Sequence, residues 1–208
     1  MKALVLMMVI FFTVTLSDFT AIAQEVENLV RNPDFEDGII GWELELHGDQ
    51  GAAATLTTDK DGVVGKLCAL VETQSFGGGT WWHTGLNQTG HAVEDGVTYT
   101  LSFWAKSETE RTISACMAEN HDPWGNWNMQ DFTITMEWQE YSLTWTSATI
   151  DPNARIRISM GQAKEAVWVD HVRLYEGDYV EEDIEGFTEQ PVKPANSLAT
   201  TWASVKAH

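Results

Sequence analysis

The sequence predicts an all-β fold, a two-sheet antiparallel β-sandwich. Three observations lead there. Short runs rich in Thr, Val, Ile and aromatic residues alternate with clusters of Gly, Asp and Asn. Between Glu27 and Tyr175 no stretch shows a 3.6-residue apolar period with helix caps. About ten such runs fit into that span, and short strands at that spacing pack as two facing sheets.

Taken in order, the chain begins with a positive Lys2, an almost unbroken apolar run from Ala3 to Leu16, and a small-x-small site at Ala21-Ile22-Ala23. Residues 1–23 therefore read as a signal peptide, and the mature chain starts at Gln24. The run is too short and wrongly flanked for a membrane span. A secreted or cell-surface (envelope) protein is expected, with no insertion into the membrane. Residues 24–176 are long enough for one domain with a real core.

Within the body, Trp81-Trp82 is read as part of a strand. Leu86 shares the parity of Trp82, which assigns Trp82 to the core and Trp81, with His83, to the outward face. In Thr98–Ala105, Tyr99, Leu101, Phe103 and Ala105 share one face, and Ser102 and Trp104 the other. In Thr112–Ala118, Ile113, Ala115 and Met117 take the core side, so Asn120 continues the opposite face. Glu140–Thr146 places Tyr141, Leu143 and Trp145 together. Arg155–Met160 alternates most clearly: its isoleucines and Met160 point inward, leaving Arg155, Arg157 and Ser159 outward.

After Tyr175 the acids accumulate without a Lys or Arg until Pro191 and Pro194 flank Lys193. Residues 177–197 read as a solvated, flexible acidic linker. Residues 198–208, which include Thr200-Thr201-Trp202, read as a short separate peptide. Docking on the sandwich, a protein partner, a sorting role and plain disorder all stay open for it.

The net charge of −19 excludes nucleic acid and anionic lipid as main partners, and removal of Lys2 and Asp18 with the signal leaves it unchanged. It also argues against a polyanionic ligand. Cys68 and Cys116 stand in separate expected strands, so a disulfide and two buried thiols both remain open. Neither has a neighbouring base to lower its pKa. Glu72, Glu119, Asp122 and Glu140 are the carboxylates available for acid–base work, yet nothing in the sequence pairs them across the about 5–10 Å that glycoside hydrolysis needs. His47, His83, His91, His121 and His171 are scattered, with neither zinc spacing nor a triad order. No enzyme is expected.

Two stretches bracket the body. One is Asn32-Pro33-Asp34-Phe35-Glu36-Asp37-Gly38-Ile39-Ile40-Gly41-Trp42; the other is Val167-Trp168-Val169-Asp170-His171-Val172-Arg173-Leu174-Tyr175. The pair, ~140 residues apart and so near one domain length, resembles the opening and closing strands of carbohydrate-binding modules of the family 4, 9 and 22 type. The resemblance covers most of the mature chain. It sharpens the sandwich to a galactose-binding-like jelly roll with a concave ligand-binding face and no catalysis.

That resemblance gives the outward residues roles. Trp81 matches the family's cleft tryptophan, ahead of Gly96-Val97-Thr98-Tyr99, and sugar rings pack flat C–H faces on indoles. The competing reading packs Trp81 under the Gly77-Gly78-Gly79 loop. Asn120 and Trp124, with Trp127 beside them, match the family's amide and aromatic contacts; amides suit vicinal hydroxyls. Arg157 and Ser159 match its polar cleft floor, and a guanidinium can bond two hydroxyls. His83 and Gln162 complete the expected set, and Trp104 is a further candidate for that surface. The expected ligand is a neutral polysaccharide or oligosaccharide of β-glucan or xylan type. A cell-surface or matrix protein-interaction domain on the same sandwich is the alternative. The resemblance also implies a structural calcium, held by Glu36 and Asp170 with the Asp34 carbonyl and Asp59. His171 stands where family members commonly have a second Asp.

Overall fold

The computed structural model describes residues 26–184. Ten strands form two sheets: β1 (Glu43–Leu46), β2 (Ala52–Asp59), β3 (Cys68–Phe76), β4 (Thr84–Val93), β5 (Thr98–Ser107), β6 (Arg111–Glu119), β7 (Asn126–Ile134), β8 (Gln139–Thr146), β9 (Asp151–Ser159) and β10 (Val167–Glu176). The first sheet has the order β1-β4-β9-β6-β7 and the second β2-β3-β10-β5-β8. Every pairing is antiparallel. This is the expected two-sheet sandwich.

The two-residue period decides what each sheet turns inward. Leu86, Ile113, Met117, Ile156 and Ile158 of the first sheet meet Val71, Leu101, Phe103, Val167 and Leu174 of the second in one core. Each apolar side chain fully buried this way contributes roughly 1.5–3 kcal/mol. The opening motif closes one end. Phe35 is fully buried against Trp42, with ring centroids 5.1 Å apart. Asn32 ties the turn together, donating to Gly38 O and Ile40 O while its own carbonyl accepts from Trp42 Nε1.

Cys68 and Cys116 are both free and buried, one in each sheet. Of the two open readings, the structure takes the buried thiols. Burial pushes both up to about 12, so neither is a nucleophile near neutral pH.

The acidic stretch departs from the expected linker at its start. Gly177 N donates to Thr98 O, Tyr179 Oη to Glu140, and Val180 N to Tyr175 Oη. Arg173 donates to Glu140 Oε1 at 2.7 Å and lies 2.9 Å from Glu182 Oε2. Residues 177–182 thus lie across the outer face of the second sheet, because the buried Arg173 guanidinium needs these oxygens. The signal peptide, most of the linker and the terminal peptide fall outside the described residues. Among the described residues no helix is long and apolar enough to cross a membrane.

Candidate functional site

The outer face of the first sheet carries a cleft of about 660 Å³, a size ordinary for a small-molecule site. Its floor comes from alternate positions of three strands: Glu43 and Glu45 of β1, Asn87 and Thr89 of β4, and Arg155 and Arg157 of β9. Their strand neighbours Leu86, Ile156 and Ile158 point the other way and are buried in the core. The walls are the 3-10 turn Trp81–His83, which supplies Trp81 and Trp82, and the β6–β7 loop, which supplies Asn120 and Trp124.

Glu45 organises the floor. Its Oε2 accepts from Asn87 Nδ2 at 2.8 Å and Arg155 Nη1 at 3.2 Å, and lies 3.1 Å from Arg157 Nη2. His47 Nε2 is 3.0 Å from Oε1. Burial alone would raise the Glu45 carboxyl. The His47 hydrogen bond and the Arg157 charge, followed by Asn87 and Arg155, outweigh it and hold the group below its ordinary value.

Each arginine also backs an indole. The Arg157 guanidinium lies 5.0 Å from the Trp81 ring centre, and that of Arg155 lies 5.3 Å from Trp124. Arg155 and Arg157 are two residues apart on β9, about 7 Å along that strand, and the indoles they back belong to the two opposite walls. They flank a cleft that runs across the strands. Trp124 is 51% exposed, which leaves ring surface for a ligand.

Local structure holds each wall in place. His83 N donates to Thr80 O, Gly161 N to Trp81 O, and Arg157 Nη2 to Trp82 O. Gly161 is required there: a Cβ would strike Thr80 O and crowd Trp81 O. In the opposite loop Glu119 N donates to Gly125 O, and Gly125 N to Glu119 Oε2 at 2.8 Å. Trp124 sits between them at φ 63°.

Of the expected ligand residues, Trp81, Asn120, Trp124 and Arg157 line this one cleft. His83 and Ser159 lie beneath it, 6% and 1% exposed. His83 Nδ1 bonds Gly77 O, and Ser159 Oγ accepts from Arg157 Nε. Their role is to hold the turn and the arginine, since parity gives a face but not a depth. Gln162 is half-buried in the turn after β9, outside the lining. Trp127 faces a different groove.

Two assignments are corrected. Trp82 is not a core residue, because Trp81–His83 is a turn and strand alternation does not apply to it; Trp82 lines the cleft and packs edge-on to His47. Trp104 does point away from the core, but from β5 of the second sheet, where it pairs with Glu140 and Asp170. The pattern of one strand cannot say which sheet it joins. Reading residue by residue missed Glu45, His47, Asn87 and Asn126. The Glu43/Glu45 and Asn87/Thr89 alternations were the available signal.

The residues expected to hold calcium, Glu36, Asp170 and Asp59 by their carboxylates and Asp34 by its carbonyl, have side chains engaged within the protein. Asp170 Oδ2 accepts from Val63 N and Val64 N, and Oδ1 from His171 N. Glu36 Oε1 accepts from Lys66 N and Leu67 N. Asp34 bonds His171 Nδ1, and Asp59 accepts from Trp168 Nε1. Among the described residues no group of three or more His, Cys, Asp or Glu converges on one point. Glu36 and Asp170 instead fasten the loop 62–67 from two sides.

An antiparallel sandwich with an aromatic-walled, amide- and guanidinium-floored cleft on one sheet is the construction of a carbohydrate-binding module. The family model described as carbohydrate binding domain, of the 4/9 type, matches residues 27–166, and the chain belongs to that family. The family is one of non-catalytic carbohydrate-binding modules. Endoglucanase C of Cellulomonas fimi is 28% identical over 142 residues, 64% of this chain but 12% of that protein. A solved CBM4 structure superposes with a TM-score of 0.63 at 27% identity, covering 71% of this chain and 99% of the other. A putative sugar binding protein of Bacteroides thetaiotaomicron shares the fold, with a TM-score of 0.54 at 14% identity over 73% of this chain and 100% of its own.

Proposed function

We propose that this module acts outside the cell and binds a neutral polysaccharide or oligosaccharide, of β-glucan or xylan type, in the cleft on the first sheet. The observation that carries this reading is the convergence of Trp81 and Trp124, each backed by an arginine, on one groove floored by Asn87, Thr89 and those two arginines. Indole faces take the C–H faces of sugar rings, and Asn87, Asn120, Arg155 and Arg157 take their hydroxyls, partly through water. The lining carries two carboxylates and two guanidinium groups, which balance; this favours an uncharged chain over a polyanion. Binding is weak and enthalpy-led, because every hydroxyl contact requires desolvation of a polar group.

Calorimetric titration against cello-, laminari-, xylo- and manno-oligosaccharides tests the proposal. At least one neutral series binds with negative enthalpy. Binding to none of them, or to acidic oligosaccharides alone, contradicts it.

A further inference from the structure

A second groove opens where the sandwich has no hydrogen-bonded seam. β7 and β8 are edge strands of different sheets. Between them lies a groove of about 600 Å³ lined by the indoles of Trp127 and Trp145 and by Asn126, Asn128, Thr146 and Thr149. No charged side chain lines it, in a chain whose net charge is −19. Trp127 pairs with Met117, a core residue, so it faces the interior side of β7 at the open margin rather than the cleft.

Two details distinguish this groove from an ordinary surface furrow. Asn126 lines both it and the cleft, so the two are continuous over the edge of β7. The cleft runs across the strands, and a chain lying in it leaves over that edge. Trp145 is 8% exposed, and its buried Nε1 has no partner among the described residues. A buried N–H without an acceptor is a cost, and it lies in the wall of this groove.

We propose that the β7–β8 groove is an additional subsite for the same glycan chain, entered over Asn126, with Trp127 as its platform. The inference rests on the cleft being the primary site. It makes the protein a binder of long chains that pass through the cleft and over its edge. Aromatic faces, amides, hydroxyls and no charge match a neutral sugar as the cleft does.

The test is a calorimetric length series of cello-, laminari- and xylo-oligosaccharides, dimer to decamer, on the full chain and on Ala148→Arg. Ala148 is exposed at the groove mouth, so the substitution blocks the groove without touching the core. In the unaltered protein affinity rises roughly tenfold, about 1.4 kcal/mol, once the chain is long enough to pass Asn126. In Ala148→Arg that rise disappears while short-chain affinity is unchanged. Trp127→Ala, checked for folding by its melting curve, gives the same pattern. Short chains binding with no gain at length, or a gain that Ala148→Arg leaves intact, overturns this inference alone. No binding at any length overturns the cleft reading itself.

Discussion

Glu45 Oε2 takes Asn87 and faces both arginines, so Glu45→Gln leaves two buried guanidinium groups against a neutral amide. The substitution is expected to cost about 2 kcal/mol of stability, the scale of hydrogen bonds to charged groups. Because both indoles rest on those arginines, affinity should also fall roughly tenfold. The pH dependence has a definite sign. The folded Glu45 carboxyl is held below its ordinary value of 4.5. Its contribution is therefore fully present above about pH 4.5 and is lost as the pH falls through the folded value. Melting curves of the two proteins should differ at neutral pH and converge in acid; a constant difference contradicts the hub. At this scale the sequence was legible along β9 and just past β6, but not on β1 and β4, where Glu45 and Asn87 were missed. Arg157 and Asn120 fell on the expected face. Ser159 did too, but its depth could not be read, since burial depends on what the neighbouring strand lays over it.

Elements place the walls, and there the sequence was less informative. β9 was readable because isoleucine alternates with arginine along it. The turn Trp81–His83 was not, since a 3-10 turn has neither strand nor helix period and strand alternation misplaces Trp82. Gly161 lets the turn after β9 approach Thr80 and Trp81. Gly161→Ala is expected to displace that turn, and to weaken sugar binding several-fold with less effect on the melting temperature. A large fall in melting temperature with affinity unchanged would count against that role. The loop 62–67 supplies a second element-scale expectation. Glu36 and Asp170 hold it through four backbone N–H groups. A chelator should therefore leave the melting temperature unchanged. A fall of several degrees, restored by calcium, would show that a metal shares these carboxylates. The opening motif was legible as a motif, but the hydrogen bonds that explain its Asn32 and Trp42 belong to the folded turn.

For the whole molecule, the sandwich separates two tasks. The first sheet presents the cleft, and the second receives residues 177–182 on its outer face. Residues 177–182 thus lie on the side away from the cleft. Sheet membership was the main thing the sequence withheld. Trp104 and Trp81 have equal claims by pattern, and only the strand order β2-β3-β10-β5-β8 puts Trp104 on the far face. The fold class came from periodicity, whereas the site came from the convergence of distant segments, to which a single strand's pattern is blind. The central claim is that two arginine-backed indoles in one cleft bind a neutral glycan. It is tested most directly by titrating the best-bound oligosaccharide into Trp81→Ala, Trp124→Ala and the unaltered protein, with melting curves showing that all three fold. Each single variant should lose roughly tenfold or more in affinity, with its melting temperature nearly unchanged. Well-folded variants that bind as tightly as the unaltered protein would contradict the account.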